Sequence, residues 1–440
     1  MYKIIRLSIL CIVFLTGGDC IAHAQNSTNG TDTAKHQRLT IGGYGEAIYS
    51  YNFYSDNAFR YSKAANFAND KGHGRIDLPH AVIMLGYDFG KGWTLGTEVE
   101  FEHGGTEAAV EVEAEEAGEF ELEIERGGEV ALEQFWIQKE FNRSLNLRMG
   151  HIVVPVGMTN KNHTPDQFFT AYRPEGENTI MPCTWHETGV SLWGRLGDWR
   201  YEAMVVPALN SKMFSSDGWV HGGSASPYEF RPASRLAVAG RLDYYGISNL
   251  RMSVSGYAGN SFNNDIITDR FDSTSQYYNA KGTVLIGAFD FAYKTRRLIV
   301  RGNADYGYLS DARIITRQHS VLSSSTASPY SRSRVGQNAL SLGLEAGVNL
   351  MGHRTDGRSL FLFAHGEYYD SFIPAEGMLD IGWTERTVLS CGINYSPMPE
   401  ITIKAEAGLR MLTGDANSEI KYNDEPWVAI GITWSGMFKK

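Results

Sequence analysis

The 440-residue chain lacks long hydrophobic runs. After its first 24 residues it has no stretch of 18 consecutive apolar side chains, so a transmembrane helix is not expected. It also has only four cysteines, and two of them, Cys11 and Cys20, lie within the first 24 residues. The other two, Cys183 and Cys391, could form one disulfide or remain two thiols. Either way, a small scaffold held together by disulfides is excluded.

Basic charge is also scarce. Lys3 and Arg6, an apolar core and the small-x-small sequence Ala-His-Ala at 22–24 form the pattern of a secretory signal peptide over residues 1–24. The alternative of a lipoprotein signal, with Cys20 as the lipid-modified cysteine, fits poorly, because Asp19 stands where a small residue is expected. Without the signal, 38 basic and 49 acidic side chains remain, a formal net charge of −11. This charge argues against a nucleic-acid partner, whose phosphates need the opposite sign.

Aromatic residues and glycine are abundant, with 23 Tyr, 21 Phe, 9 Trp and 47 Gly. Residues 25–37 read as a flexible lead-in, and from residue 38 onward short segments alternate apolar and polar side chains, the period of β-strands. Sixteen strands are predicted, with these bounds: 39–51, 81–89, 93–101, 130–141, 145–151, 185–196, 199–209, 235–245, 250–260, 284–294, 297–309, 339–351, 359–369, 387–395, 401–411 and 426–438. A large secreted β-sandwich or propeller is the competing interpretation.

The connections between these strands alternate strictly in length. Seven are short turns, and eight are long, at about 54–74, 104–129, 154–184, 210–233, 261–282, 310–335, 370–383 and 412–425. This alternation is typical of a transmembrane barrel, whose turns are periplasmic and whose long loops are external. The sequence therefore predicts an all-β fold: a transmembrane antiparallel β-barrel of about 16 strands over residues 38–440. The expected location is the outer membrane of a Gram-negative bacterium.

Charged side chains recur on one face of several strands. In 401–410, for example, Lys404, Glu406 and Arg410 oppose a row of aliphatic residues. In a barrel the charged face lines the lumen and the apolar face meets lipid. The predicted lumen-facing charges are Glu98, Glu100, Glu102, Arg148, Arg241, Arg301, Asp305, Lys404, Glu406 and Arg410. Aromatics near strand ends are assigned to interfacial girdles: Tyr51, Tyr54, Trp93, Trp136, Trp193, Trp199, Trp427 and Trp434.

The segment from Glu98 to Glu133 is strongly acidic, with 14 Glu and one Arg. Many of these glutamates are two residues apart, which places a row of carboxylates on one face of a strand or an extended hairpin. Three interpretations remain open. The row could act as an electrostatic filter that favours cations, it could bind divalent cations, or it could be a solvated external hairpin with no role in selectivity.

The connection at 154–184 differs from the other long loops. It has four prolines, at 155, 165, 174 and 182, and it is rich in aromatic residues. A long, irregular loop that is rich in aromatic residues is usually functional. We predict that this one folds inward to narrow a pore. The candidate constriction residues, including two just after the loop, are His163, Asp166, Arg173, Glu175, Glu177, His186 and Glu187. Arg173 could either pin the loop to the wall or line the constriction.

No catalytic or cofactor motif stands out. His163, His186 and Glu187 are of residue types that bind zinc. Their spacing matches no helical metal motif, so no metal site is predicted. No Ser-His-Asp order, phosphate-cradling glycine loop or Cys-x-x-Cys pair is evident, so no cofactor and no catalytic residue are expected.

Two stretches, GHIVVPVGMTNKNHTP and FFTAYRPEGENTIMPCTWHETGVSLWGR, resemble the porins grouped with the phosphate-selective porin O and P family, as found in Bacteroidota-type bacteria. The resemblance implies a 16-stranded barrel, often a homotrimer, with its third long loop folded inward. Phosphate-selective members use a series of Arg and Lys in the lumen. Here the third loop has few basic residues beside its carboxylates, so no anion-binding residues are carried over.

The leading hypothesis is a non-enzymatic porin for passive diffusion of small hydrophilic solutes or ions, with a preference for cations. The closing strand VAIGITWSGMF resembles the C-terminal signal read by barrel-assembly machinery, although Lys439 and Lys440 follow it. Two other hypotheses remain: a barrel enzyme such as a lipase or protease, and an adhesin-like or calcium-binding surface barrel.

Overall fold

The strands account for most of the chain. A computed structural model describes residues 38–61, 64–114, 120–226, 230–262, 264, 277–320, 333–352, 354–414 and 424–439. The predicted signal peptide, 1–24, and lead-in, 25–37, lie outside the described residues. The strands are β1 Leu39–Asn52, β2 His73–Asp77, β3 Ala81–Gly90, β4 Trp93–Ala114, β5 Phe120–Asn142, β6 Leu145–Val153, β7 His186–Leu196, β8 Trp199–Pro207, β9 Leu236–Ile247, β10 Leu250–Asn260, β11 Thr283–Lys294, β12 Leu298–Leu309, β13 Asn338–Asn349, β14 Ser359–Ile373, β15 Glu385–Met398, β16 Ile401–Leu412 and β17 Glu425–Lys439.

Sixteen of these strands form a closed antiparallel barrel. Neighbours in sequence pair in order from β3 to β17, and β1 joins both ends of that series: it pairs with β17 from Ile41 to Asn52 and with β3 from Leu39 to Gly45. The short strand β2 lies in the first long connection and pairs with β1 where β3 has ended, at Ile48 to Asn52. The prediction of a 16-stranded antiparallel barrel is confirmed.

Helices are few and short. They are α1 Ala64–Phe67, α2 Glu175–Ile180 and α3 Ala312–His319, all within long connections. Among the described residues, none of the helices has the length and apolar character needed to cross a bilayer. The seven short turns lie at the opposite end of the barrel from the long connections. In the turn between β3 and β4, Gly90, Lys91 and Gly92 all have positive φ, a conformation that glycine adopts without steric cost.

The outer face of the barrel is an exposed apolar belt. Val254, Leu344, Leu389 and Ile430 are each half exposed, well inside four different strands, and Val238 is half exposed near the start of β9. Their neighbours in the same strands point inward and are polar or small. A contiguous apolar surface of this size would be unfavourable in water and fits the hydrocarbon layer of a membrane.

We expect Val254→Arg to impair barrel assembly. An arginine in the middle of a lipid-facing belt costs about 2–4 kcal/mol, whereas the same residue near the interface costs about 0–1 kcal/mol. Leu196→Arg, at the end of β7 beside a short turn, is the matched control. Folding yield in lipid vesicles, followed by the heat-dependent migration of the barrel in gels, should fall for Val254→Arg only. Equal yields for both variants would argue against a membrane-facing belt.

The interior contains both polar side chains and an apolar core. The core occupies one side, where residues of the long connections after β6, β8, β10 and β12 pack against the wall. Trp219 is central to it: its side chain is fully buried and its indole N–H donates to the carbonyl oxygen of Gly336 at 3.1 Å. The predicted girdle positions Trp136 and Trp193 are wrong, because both side chains are buried on the inner face. There the indole N–H of Trp193 donates to Gln138.

The acidic segment forms the longest hairpin of the barrel. The strands β4 and β5 continue beyond the wall and pair from Glu107↔Gly127 to Ala114↔Phe120. An irregularity interrupts the register after Glu102. The extended hairpin expected from the period-two glutamates is therefore present in the backbone.

Candidate functional site: the loop between β6 and β7

The segment 154–185 connects β6 to β7 and is almost entirely irregular. Its only regular elements are a short 3-10 turn at Pro165–Gln167 and the helix α2. Its four prolines remove backbone donors and fix φ, which prevents a longer helix or strand. Despite this, Val154, Val156, Ala171 and Met181 are completely buried. We refer to this segment as the third loop.

One lysine of the wall holds the middle of the third loop. Lys404, in β16, is only 1% exposed. Its ammonium group donates to three carbonyl oxygens of the loop, those of Pro165 (2.7 Å), Phe168 (3.0 Å) and Thr170 (2.9 Å). Two positions further along the strand, the carboxylate of Glu406 accepts a hydrogen bond from the backbone N–H of Ala171 at 2.7 Å.

Strands β13 to β15 bind the same part of the loop. The backbone N–H of Phe169 donates to Glu345 at 3.1 Å, and its carbonyl oxygen accepts from the amide of Asn394 at 3.0 Å. The Phe169 ring lies against Gly347 so closely that a Cβ there would be 2.3 Å from the ring. A larger residue at position 347 would therefore displace the loop.

The start of α2 is fixed in a similar way. The carboxylate of Glu367, in β14, accepts hydrogen bonds from the backbone N–H groups of Glu175 (3.1 Å) and Gly176 (2.7 Å). The side chain of Glu175 forms an ion pair with Arg410 of β16 and accepts from the hydroxyl of Tyr369. These contacts satisfy donors that a helix leaves unpaired at its first turn.

Strands β9 and β10 bind the beginning of the loop. The backbone N–H of Gly157 donates to Ser255 at 3.0 Å, and its carbonyl oxygen accepts from the guanidinium of Arg241 at 2.8 Å. Arg251 donates to the side chain of Asn162 at 3.2 Å. The third loop is thus held by β9 and β10 near its start and by β13 to β16 further along.

Three predicted constriction residues stabilise the loop. The carboxylate of Glu177 is buried and accepts hydrogen bonds from the backbone N–H groups of Met158 and Thr159, both at 2.6 Å. Glu175 makes the ion pair with Arg410 described above. The guanidinium of Arg173 lies 3.4 Å from the carbonyl oxygen of His163 and 3.7 Å from the sulfur of Cys183. Both contacts lie within the third loop, so they link two parts of the loop to each other, and the choice between pinning to the wall and lining the constriction stays a prediction.

The other four predicted constriction residues have separate environments. His163 is buried against β4 and β5, and Asp166 is exposed. The ring of His186 contacts that of His151, and Glu187 forms an ion pair with Arg231 at 3.0 Å. In the described part of the chain, His163, His186 and Glu187 do not together form a group close enough to share a metal ion.

All ten predicted lumen charges lie on the inner side of the barrel. Glu98, Glu100, Arg148, Arg241, Asp305, Lys404 and Glu406 are buried, while Glu102, Arg301 and Arg410 are partly exposed. Several are paired with residues outside this set of ten. Arg241 binds Asp243 and Asp290, and Arg301 binds Glu345.

Several loop-binding residues were missed, namely Ser255, Glu345, Glu367 and Asn394. All of them lie on strands at positions that alternate with exposed apolar residues, so the period-two pattern could have identified them as inward-facing. Their role as partners of the third loop depends on contacts across 90 or more residues of sequence, which no local pattern reports. In the described part of the chain, Cys183 and Cys391 are free thiols.

The comparisons with known proteins bear on the fold. No protein-family model matches the chain. An uncharacterized protein of Aquifex aeolicus is 25% identical over 377 residues, which are 84% of this chain and 74% of that protein. Three solved structures are similar: an anion-selective porin from Comamonas acidovorans (TM-score 0.50, 10% identity, 90% of this chain and 99% of that one), the outer-membrane channel DcaP of Acinetobacter baumannii (0.50, 12%, 90% and 97%) and Salmonella typhi OmpF in complex with daunomycin (0.52, 11%, 90% and 97%). At this identity they show the shared fold, a closed 16-stranded barrel.

Proposed function

We propose that the protein is a passive channel of the outer membrane, in which the third loop narrows the lumen for small hydrophilic solutes. The observation that carries the proposal is the attachment of this loop to β9 and β10 near its start and to β13 to β16 further along. A loop fixed at these separated positions on the inner wall reduces the free cross-section and cannot easily move aside. Similar barrels that are porins or channels support the same function.

The membrane location is part of the proposal. The exposed apolar belt suits lipid, and β17 closes the barrel by pairing with β1, as the terminal strand of an assembled barrel must. We propose insertion by the barrel-assembly machinery and, from the resemblance to the porin family, a homotrimer. Reconstitution into a planar bilayer tests the central claim. Stepwise conductance supports a channel, and a tight barrel without conductance would contradict it.

The charge of the interior argues against selectivity for phosphate. The arginines best placed to line a path for anions already bind carboxylates: Arg200 with Glu202, Arg241 with Asp290, Arg301 with Glu345 and Arg410 with Glu175. Lys404 is occupied by loop carbonyl oxygens. A guanidinium held by a carboxylate is a weak site for an incoming anion, since the field of the pair is largely cancelled. We therefore propose a channel that prefers cations.

Asp166 is the residue of the third loop through which this preference is best tested. Its side chain is exposed, whereas Thr164, Pro165 and Phe168 on either side are buried. Since those neighbours pack on the wall, the exposed carboxylate faces the remaining lumen, where its charge attracts cations.

Asp166→Lys is expected to lower the cation-to-anion permeability ratio several-fold, because it replaces the negative charge of the constriction with a positive one. Reversal potentials in a salt gradient measure this ratio. Asp198→Lys, in the exposed turn between β7 and β8, is the control and should leave the ratio unchanged. An unaltered permeability ratio in Asp166→Lys would mean that the charge of the third loop does not contribute to ion selectivity.

A further inference from the structure

A buried cluster of three potential metal ligands joins the third loop to the barrel wall. His163 of the loop approaches Glu98 of β4 and Glu133 of β5. Its Nε2 atom lies 3.9 Å from Oε2 of Glu98 and 3.7 Å from Oε1 of Glu133. All three side chains are at most 3% exposed. None of these three facing atoms has a hydrogen-bond partner.

The remaining contacts of the cluster fix which atoms face its centre. Nδ1 of His163 lies 3.0 Å from the carbonyl oxygen of Asn160. Because a carbonyl oxygen can only accept, Nδ1 carries a proton, and Nε2 is the ring nitrogen that faces the two carboxylates. The hydroxyl of Tyr44 donates to Oε2 of Glu133 at 3.1 Å and leaves Oε1 of that carboxylate directed at the ring. A backbone carbonyl that orients the far side of the ring is the usual support of a metal-binding histidine.

Three lone-pair atoms that face one another in a buried space repel each other unless a cation lies between them. We propose that Glu98, Glu133 and His163 bind a divalent transition-metal ion, such as Zn²⁺ or Mn²⁺. Their three ligand atoms lie within 4.8 Å of one another. Two edges of this triangle are 3.9 and 3.7 Å, so an ion at equal distance from the three atoms would be about 2.0–2.5 Å from each, a range that includes the length of zinc bonds to nitrogen and carboxylate oxygen. Two carboxylates also balance the charge of the ion.

A proton on Nε2 explains the distances between His163 and the two carboxylates less well than a metal ion does. If Nε2 carried a proton, its N–H would bond a carboxylate at about 2.7–3.2 Å, but both carboxylate oxygens are farther away. The chain contains a direct comparison on β14, where Nε2 of His365 lies 2.7 Å from Glu367. The neighbouring pair of His80 and Glu100 is likewise in direct contact at 2.5 Å. At His163, by contrast, Nε2 lies 3.7 and 3.9 Å from two carboxylate oxygens and is in direct contact with neither. Among the described residues, the other group of three possible ligands is His80, Glu100 and Glu102, in which His80 and Glu100 already contact each other.

A metal bound here would link three parts of the chain that are distant in sequence. The ligands come from β4, β5 and the third loop, so binding would fasten the loop to a region of the wall that its contacts with β9, β10 and β13 to β16 do not reach. The proposal concerns metal binding and does not require that the barrel conducts.

The test uses the full-length protein in detergent, stripped of metal with EDTA and titrated with Co²⁺ and with Zn²⁺. We expect one equivalent to bind, with a Co²⁺ absorption spectrum that indicates nitrogen and oxygen ligands. His163→Asn and Glu133→Gln should each weaken binding by at least about tenfold. His186→Asn is the control, because the rings of His186 and His151 contact each other and are a possible alternative place for metal to bind; it should bind as the wild type does.

Three results would overturn the proposal. They are no stoichiometric binding by the wild type, binding that His163→Asn leaves unchanged, and binding that disappears in His186→Asn. If His163→Asn does not form a barrel, anomalous diffraction from wild-type crystals soaked with Zn²⁺ decides the matter. An ion between His163, Glu98 and Glu133 supports the site, and an ion found only elsewhere refutes it.

Discussion

Lys404→Met is expected to release the third loop from the wall and to increase the conductance of the channel. The substitution keeps most of the length of the side chain but removes its ammonium group. Three buried carbonyl oxygens then lose their donor. A buried acceptor left without a partner costs about 1–3 kcal/mol, so the attached state of the loop loses about 3 kcal/mol or more. That is enough to detach a loop from one side of its lumen.

Single-channel recording and limited proteolysis measure this release. The Lys404→Met channel should show larger or fluctuating current steps, and the third loop should be cleaved where the wild type resists. Lys71→Met removes an exposed lysine from the first long connection and serves as the control. Unchanged conductance together with unchanged protease resistance in Lys404→Met would mean that Lys404 does not hold the loop.

Arg241→Met is expected to cause the largest loss of barrel stability. The Arg241 side chain is fully buried, and its guanidinium donates to Asp243 at 2.7 Å, to Asp290 at 2.7 Å and to the carbonyl oxygen of Gly157 at 2.8 Å. Removing one partner of a buried ion pair costs about 3–5 kcal/mol when the remaining charge stays buried without compensation. Here Arg251 still binds Asp290 and Arg200 still binds Asp243, so a loss near the lower end of that range is expected. Urea unfolding in lipid vesicles, followed by tryptophan fluorescence, should show this decrease in the free energy of unfolding.

Two further variants separate the charge effect from lost packing. Arg241→Met combined with Asp290→Asn also removes one of the two carboxylates that Arg241 neutralises and should restore part of the stability. Arg354→Met is the control in an exposed turn, where hydrogen bonds from Arg354 and Arg358 hold the pKa of the Asp356 carboxyl well below its usual range. Exposed pairs contribute little, so this variant should unfold as the wild type does. A double variant no more stable than Arg241→Met would point to packing as the cause.

The strands could be predicted closely because their physical signal is local. In β16, Lys404 and Glu406 alternate with Ile403 and Ala405, and the structure buries the first pair and exposes more of the isoleucine. Short turns alternating with long connections then gave the antiparallel order. The aromatic girdle was less predictable, since Trp136 is as apolar as Trp93 but has its indole on the inner face.

The partners of the third loop could not be predicted in the same way. Prolines and aromatics marked the segment as unusual, and the acidic and histidine side chains within it were evident. Whether His163 would meet Glu187, or instead Glu98 and Glu133, depends on how the loop bends across the barrel. That path is set by hydrogen bonds to Lys404, Glu367 and Arg241, residues that lie far away in the chain.

The sequence by itself determined the barrel, because a strand records in its period of two which side chains face lipid and which face the interior. Only the tertiary structure decided what the interior charges do. Closing the barrel brings strands that are hundreds of residues apart around one loop, and burial requires every charge to find a partner there. Lys404 therefore became an anchor for loop carbonyl oxygens, Arg241 the counter-ion of two aspartates, and His163 the neighbour of two unpaired carboxylate oxygens.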